Sequence, residues 1–110
     1  LYWKCLQENI EFLGIIMNTF TQIAGKIIKE QELIIGPLAW SEASKVSGLK
    51  ILDQKKGEVE LNNGDPKQVV DGLVNQYKRL FGLASQEVCK DAVASMIVSL
   101  SPNEIPLSLK

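Results

Sequence analysis

Between Trp3 and Ile34, apolar residues recur at alternating steps of three and four. They are Trp3, Leu6, Ile10, Leu13, Met17, Phe20, Ala24, Ile27 and Ile34, with one polar interruption at Gln31. That seam is the pattern of a long helix presenting one stripe to a neighbour. It restricts the remaining chain to shorter elements that fold back against the helix. The stripe is wider than two columns, because Ile16 and Ile23 fall just before it and Ile28 just after it. A simple two-stranded coiled coil usually carries charge at those flanks. Apolar flanks instead place the helix in a bundle, one side meeting its own domain and the other a second copy. Trp3, Leu6, Ile10, Leu13, Met17, Phe20, Ala24 and Ile27 are therefore the expected homodimer interface. Trp3 stands out, since it opens the chain before much of the domain can cover it.

The helix is expected over residues 2–32. Gly14 and Gly25 each cost it roughly 1 kcal/mol relative to Ala, and mark either close approaches or weak points. Ile35-Gly36-Pro37 ends it, because Pro37 lacks a backbone donor and suits the start of a new helix. A short helix over 37–47 follows, with Leu38, Ala39, Ala43 and Val46 inward, Trp40 over the junction and Gly48 as the stop. Residues 49–61 change character. Leu49, Ile51 and Leu52 form one apolar run, Val59 and Leu61 alternate around Glu60, and a polar turn ending in Gly57 lies between. This predicts a small β-hairpin leaning on a helix. Asn62-Asn63-Gly64 forms the next turn.

Asp65-Pro66-Lys67-Gln68 is the clearest helix start, with Asp65 as cap, Pro66 at the first helical position and Gln68 able to complete a capping box. The helix spans 66–81, with Val69, Val70, Leu73, Val74, Tyr77, Leu80 and Phe81 on one side, and Gly82 ends it. A last helix is expected over 85–100, capped by Ser85 and lined by Val88, Cys89, Ala92, Val93, Met96, Ile97 and Leu100. Together these elements predict one mainly α domain over 1–101, with about four helices, a long first helix and one hairpin. The two prolines after Leu100 predict an extended or disordered tail over 102–110.

Composition narrows the function classes. Twelve basic residues against thirteen acidic ones give a net charge of −1, which argues against nucleic acid as a partner. The longest uncharged run, 12–25, is too short and too polar for a membrane span. Cys5 and Cys89, two isolated cysteines among apolar neighbours, read as buried free thiols. With no secretory signal sequence, these observations point to a soluble, cytoplasmic setting.

The sequence contains no histidine, which removes the commonest general base and transition-metal ligand. Phosphate-loop, dinucleotide-binding and nucleophile-elbow motifs are missing too, so no catalytic, cofactor or metal residues are assigned. Lys55-Lys56, with Lys50 nearby, is the one compact basic spot. It suits either a phosphate contact or a solvated hairpin tip. The final helix has Lys90 as its one basic residue, beside Glu87 and Asp91, which is poor equipment for a recognition helix.

Ile34-Ile35-Gly36-Pro37-Leu38-Ala39 resembles the I-G-P-apolar-Ala core of a poorly characterised helical module found at the ends of some bacterial signalling and regulatory proteins. Gly57-Glu58-Val59-Glu60-Leu61, Gly64-Asp65-Pro66, Tyr77 and Leu80-Phe81-Gly82 are similar to the rest of it, over roughly residues 33–94. The resemblance implies an accessory or output module with no catalytic residues to carry over. The expected function is thus a non-enzymatic regulatory or interaction module, dimerising through its first helix and served by an upstream sensor or receiver domain. The alternatives are a small-molecule or lipid sensor with an apolar pocket between the first helix and the 65–100 pair, and a DNA-binding regulator.

Overall fold

The computed structural model describes residues 2–62 and 65–110; over residues 2–18 it describes the backbone but not the side chains. The fold is mainly helical, with four α-helices, the longest at the N-terminus, and one antiparallel hairpin. Helix α1 spans Tyr2–Ile35, α2 Leu38–Ala43, α3 Pro66–Phe81 and α4 Leu83–Ile97. Strands β1, Leu49–Asp53, and β2, Glu58–Leu61, form the hairpin. At ~1.5 Å per residue, the 34 residues of α1 account for the 51 Å long dimension of the molecule.

The broad stripe on α1 is the centre of the core. Ile23, Ala24, Ile27 and Ile28 are fully buried and Phe20 nearly so. The flanking residues Ile23 and Ile28 lie inside because α3, α4 and the hairpin all pack on this half of the helix. Across from them stand Val70, Leu73, Val74 and Tyr77 of α3 with Cys89 and Val93 of α4.

Helix α1 runs three residues past the expected boundary at Glu32. It stops where Gly36 takes a φ of +71° and its N–H reaches the Glu32 carbonyl at 2.9 Å. Helix α2 is shorter than expected. After Ala43 the chain tightens into i to i+3 bonds, Lys45 to Glu42 and Val46 to Ala43, before Gly48 turns it at a φ of +86°. Its inner side also differs, since Leu38 is exposed while Trp40 is buried against α1. Only residues 38–43 are helical, and the face they bury runs through Ala39, Trp40 and Ala43.

The hairpin pairs Leu49 with Leu61, Lys50 with Glu60 and Ile51 with Val59, and an irregularity before Asp53 sets Leu52 outward. Leu49 and Val59 face the core. Asp65 caps α3 as expected, accepting from the Lys67 N–H at 3.0 Å. Leu80, by contrast, is exposed, and Phe81 is only partly buried. Gly82, at a φ of +86°, ends α3 and leads directly into α4, which starts two residues before Ser85. Ser85 is therefore no cap; it lies within the first turns of α4 and is buried. Helix α4 ends at Ile97, short of the expected Leu100, which is buried beyond it.

The tail is neither extended nor loose. Pro102–Glu104 and Leu107–Leu109 form short 3-10 turns, and Pro106, Ser108 and Leu109 are buried. Asp71 of α3 accepts from both the Ser108 N–H, at 3.0 Å, and the Ser108 hydroxyl, at 2.6 Å. The Gln86 amide of α4 donates to the Ser108 carbonyl at 2.9 Å. These partners lie 22 to 37 positions away, so local sequence carries no trace of the docking.

Candidate functional site

The eight seam residues divide by position. Phe20, Ala24 and Ile27 are covered by their own chain and serve its core, so they cannot form a dimer face in this conformation. Contacts with α3, α4 and the hairpin cover this stretch of the stripe. Trp3, Leu6, Ile10, Leu13 and Met17 lie outside the described side chains, as do Cys5 and Gly14. The Asn63-Gly64 part of the expected turn is likewise outside the described residues. The helical backbone nevertheless places those five seam residues on the continuation of the stripe that Phe20, Ala24 and Ile27 occupy.

Gln31, the polar break in the seam, is fully buried. Its side-chain amide donates to the Ser85 carbonyl at 3.0 Å and to Cys89 Sγ at 3.3 Å, and its carbonyl accepts from the Ser85 hydroxyl at 3.4 Å. A buried amide left unpaired costs about 1–3 kcal/mol, so this network sets one register of α1 against α4. Burial pushes the Cys89 thiol up to about 11, against the pull of the Gln31 hydrogen bond and a backbone hydrogen bond. Cys89 is thus a protonated core residue rather than a nucleophile.

At the α1–α2 elbow the Trp40 indole donates to the Glu32 carboxylate at 2.5 Å, and the Lys29 ammonium lies 5.7 Å from the ring centre. The Tyr77 hydroxyl donates to the Ala39 carbonyl at 2.7 Å, and burial pushes the phenol well above its usual range. Glu42 accepts from Lys45 at 3.0 Å and from Gln76 at 2.7 Å, and these bonds hold its carboxyl below the usual value against partial desolvation. Each of these groups has a hydrogen-bond partner within the fold. Among the described residues no cluster of His, Cys, Asp or Glu is placed to hold a metal ion. No helix among them is long and apolar enough to cross a membrane.

Two surface features flank α1 among the described residues. Between α1 and α4 an open groove of about 570 Å³ is lined by Leu33, Ile34, Val88 and Ala92, with Lys26, Glu30 and Asp91 at its edge. Leu33 and Ile34 are 79% and 60% exposed there. This groove is formed by α1 and α4 alone, with no α3 residue among its described lining, whereas the expected apolar pocket is one between α1 and both of the last two helices. The second feature is a cleft of about 340 Å³ between α1 and the hairpin turn, where Lys26 and Lys29 meet Lys56. The expected basic spot is thereby rearranged, with two lysines of α1 joining Lys56 and Lys50 standing apart.

The chain matches no family profile, no characterised protein and no solved structure against which it was compared.

Proposed function

We propose that the chain is a non-catalytic interaction module that self-associates through the N-terminal half of α1. One observation carries the proposal. The apolar spacing of α1 continues in one phase from the buried Phe20, Ala24 and Ile27 back through Met17, Leu13, Ile10, Leu6 and Trp3. A second copy of the same helix is the simplest complement to such a stripe, because heptad spacing is self-complementary about a two-fold axis. The helix carries this proposal, rather than the resemblance of the Ile34–Ala39 stretch to an accessory module. In a signalling protein, a shift or rotation delivered along α1 would reach the body at Gln31, where α1 is keyed to α4.

Sedimentation velocity from low to high micromolar protein tests the proposal. The expected result is a concentration-dependent dimer in the wild type. The Leu6→Glu, Leu13→Glu double variant is expected to remain monomeric, with the near-ultraviolet dichroism of Trp40 retained. A wild-type monomer at the highest concentration, with α1 fully helical by far-ultraviolet dichroism, would remove the proposal.

A further inference from the structure

The cleft between α1 and the hairpin turn brings Lys26, Lys29 and Lys56 around one open space, which Gln22 and Met96 also line. Among the described residues, no acidic one lines it. We propose that this cleft binds the phosphate group of a small soluble molecule.

The two elements that carry the lysines are held together by backbone contact. A Cβ on Gly25 would lie 2.5 Å from the Gly57 carbonyl oxygen, an approach that only glycine allows. The turn has its own bracing. Asp53 accepts from the Lys55 and Lys56 N–H groups at 3.0 and 3.2 Å, and the Lys29 ammonium donates to the Lys55 carbonyl at 2.9 Å. The lysines therefore converge because of the fold and not through a run of basic sequence. The chain as a whole has a net charge of −1, so the positive field is local to this place.

The charges are available to a ligand. Lys56 makes no ion pair among the described residues. Lys26 pairs with Glu30 at 2.9 Å, but the two side chains are 49% and 32% exposed, and a pair of that kind exchanges readily for a more highly charged anion. Lys29 lies 3.7 Å from Glu32 and shares its ammonium with the Lys55 carbonyl, so it contributes field more than a free donor. A phosphate group carries about two negative charges and several acceptor oxygens, and it suits separate ammonium groups, whereas a carboxylate is best matched by an arginine fork. The volume is at the lower end of the range for small-molecule sites, which favours a compact ligand over a polymer. The proposal is independent of self-association, because the cleft lies on α1 between Gln22 and Lys29, apart from the Trp3–Met17 stretch.

The test is an amide-resolved nuclear magnetic resonance titration of the full chain with inorganic pyrophosphate. Saturable shifts are expected at Gly25, Lys56 and Gly57. Lys56→Gln and Lys26→Gln are each expected to weaken binding by roughly two- to fivefold, and Lys50→Gln, outside the cleft, to leave it unchanged. Far-ultraviolet dichroism equal to wild type in all variants excludes unfolding as the cause. The proposal is overturned if no saturable shift occurs, or if Lys50→Gln weakens binding as much as Lys56→Gln, since the attraction is then diffuse. Retention on phosphatidic acid vesicles without binding of pyrophosphate would also overturn it, assigning the lysines to a membrane surface.

Discussion

The Gln31 amide donates to the Ser85 carbonyl at 3.0 Å, linking α1 to α4 across 54 positions of sequence. Both groups are sealed from solvent, so neither can exchange its partner for water. Gln31→Ala is expected to lower the unfolding free energy by about 2–3 kcal/mol, from a cavity plus the stranded Ser85 groups. Gln31→Leu fills the space but still strands the Ser85 hydroxyl, for a loss of about 1–2 kcal/mol. Urea unfolding with an unchanged slope is the measurement. A Leu variant as stable as wild type would show that the network selects helix register without adding stability.

Gly25 sits in a helix, where replacement by Ala ordinarily adds up to about 1 kcal/mol. Here the new methyl would meet the Gly57 carbonyl at 2.5 Å, and that neighbour is backbone with little freedom to move. Gly25→Ala is expected to destabilise by about 1–3 kcal/mol and to loosen the hairpin first. Hydrogen exchange at Val59 and Leu61 reads this directly. Unchanged protection there would mean that the hairpin does not depend on its seat against α1.

Stability should fall in alkali through Cys89. Its thiol ionises near 9.0 in an unfolded chain and is pushed up to about 11 in the fold, chiefly by burial. Between those values the unfolded chain has lost a proton that the folded chain retains, so stability declines as pH rises through that window. Below it the group contributes no slope. Tyr77 is shifted in the same direction, again chiefly by burial, and adds to the decline from about pH 10.0 upward, where the unfolded phenol ionises and the folded one does not. Cys89→Ala is expected to flatten the profile between pH 9.0 and 10.0 and to lessen the slope from there to about 11, where Tyr77 still contributes. A slope unchanged by that substitution would assign the alkaline loss to other groups.

The C-terminal turns are expected to support the body. Leu109 is 2% exposed, so Leu109→Ala should cost about 2–4 kcal/mol. Asp71→Ala removes the acceptor of both Ser108 bonds and should cost about 1–2 kcal/mol. Limited proteolysis supplies the check, with cleavage between Asn103 and Ser108 accelerated in Asp71→Ala. Equal cleavage rates in variant and wild type would show that Asp71 does not hold the segment.

What could be read without coordinates was whatever repeats or caps locally. The seam announces α1, Asp65-Pro66 announces α3 to the residue, and Gly57 announces the hairpin turn, because helix phase, capping and positive φ are properties of neighbouring residues. Tertiary structure alone decided the rest. Gln31 reads as a flaw in the seam until Ser85 and Cys89 arrive opposite it, and Ser85 reads as a cap until Gly82 starts α4 earlier. Leu109 and Ser108 belong to an unpatterned tail until Asp71 and Gln86 receive them. Lys26 and Lys29 join Lys56 only because Gly25 lets a carbonyl approach the helix. Each of these pairings depends on which distant groups come within hydrogen-bonding or van der Waals reach, and the spacing of residues along one stretch of chain does not encode that.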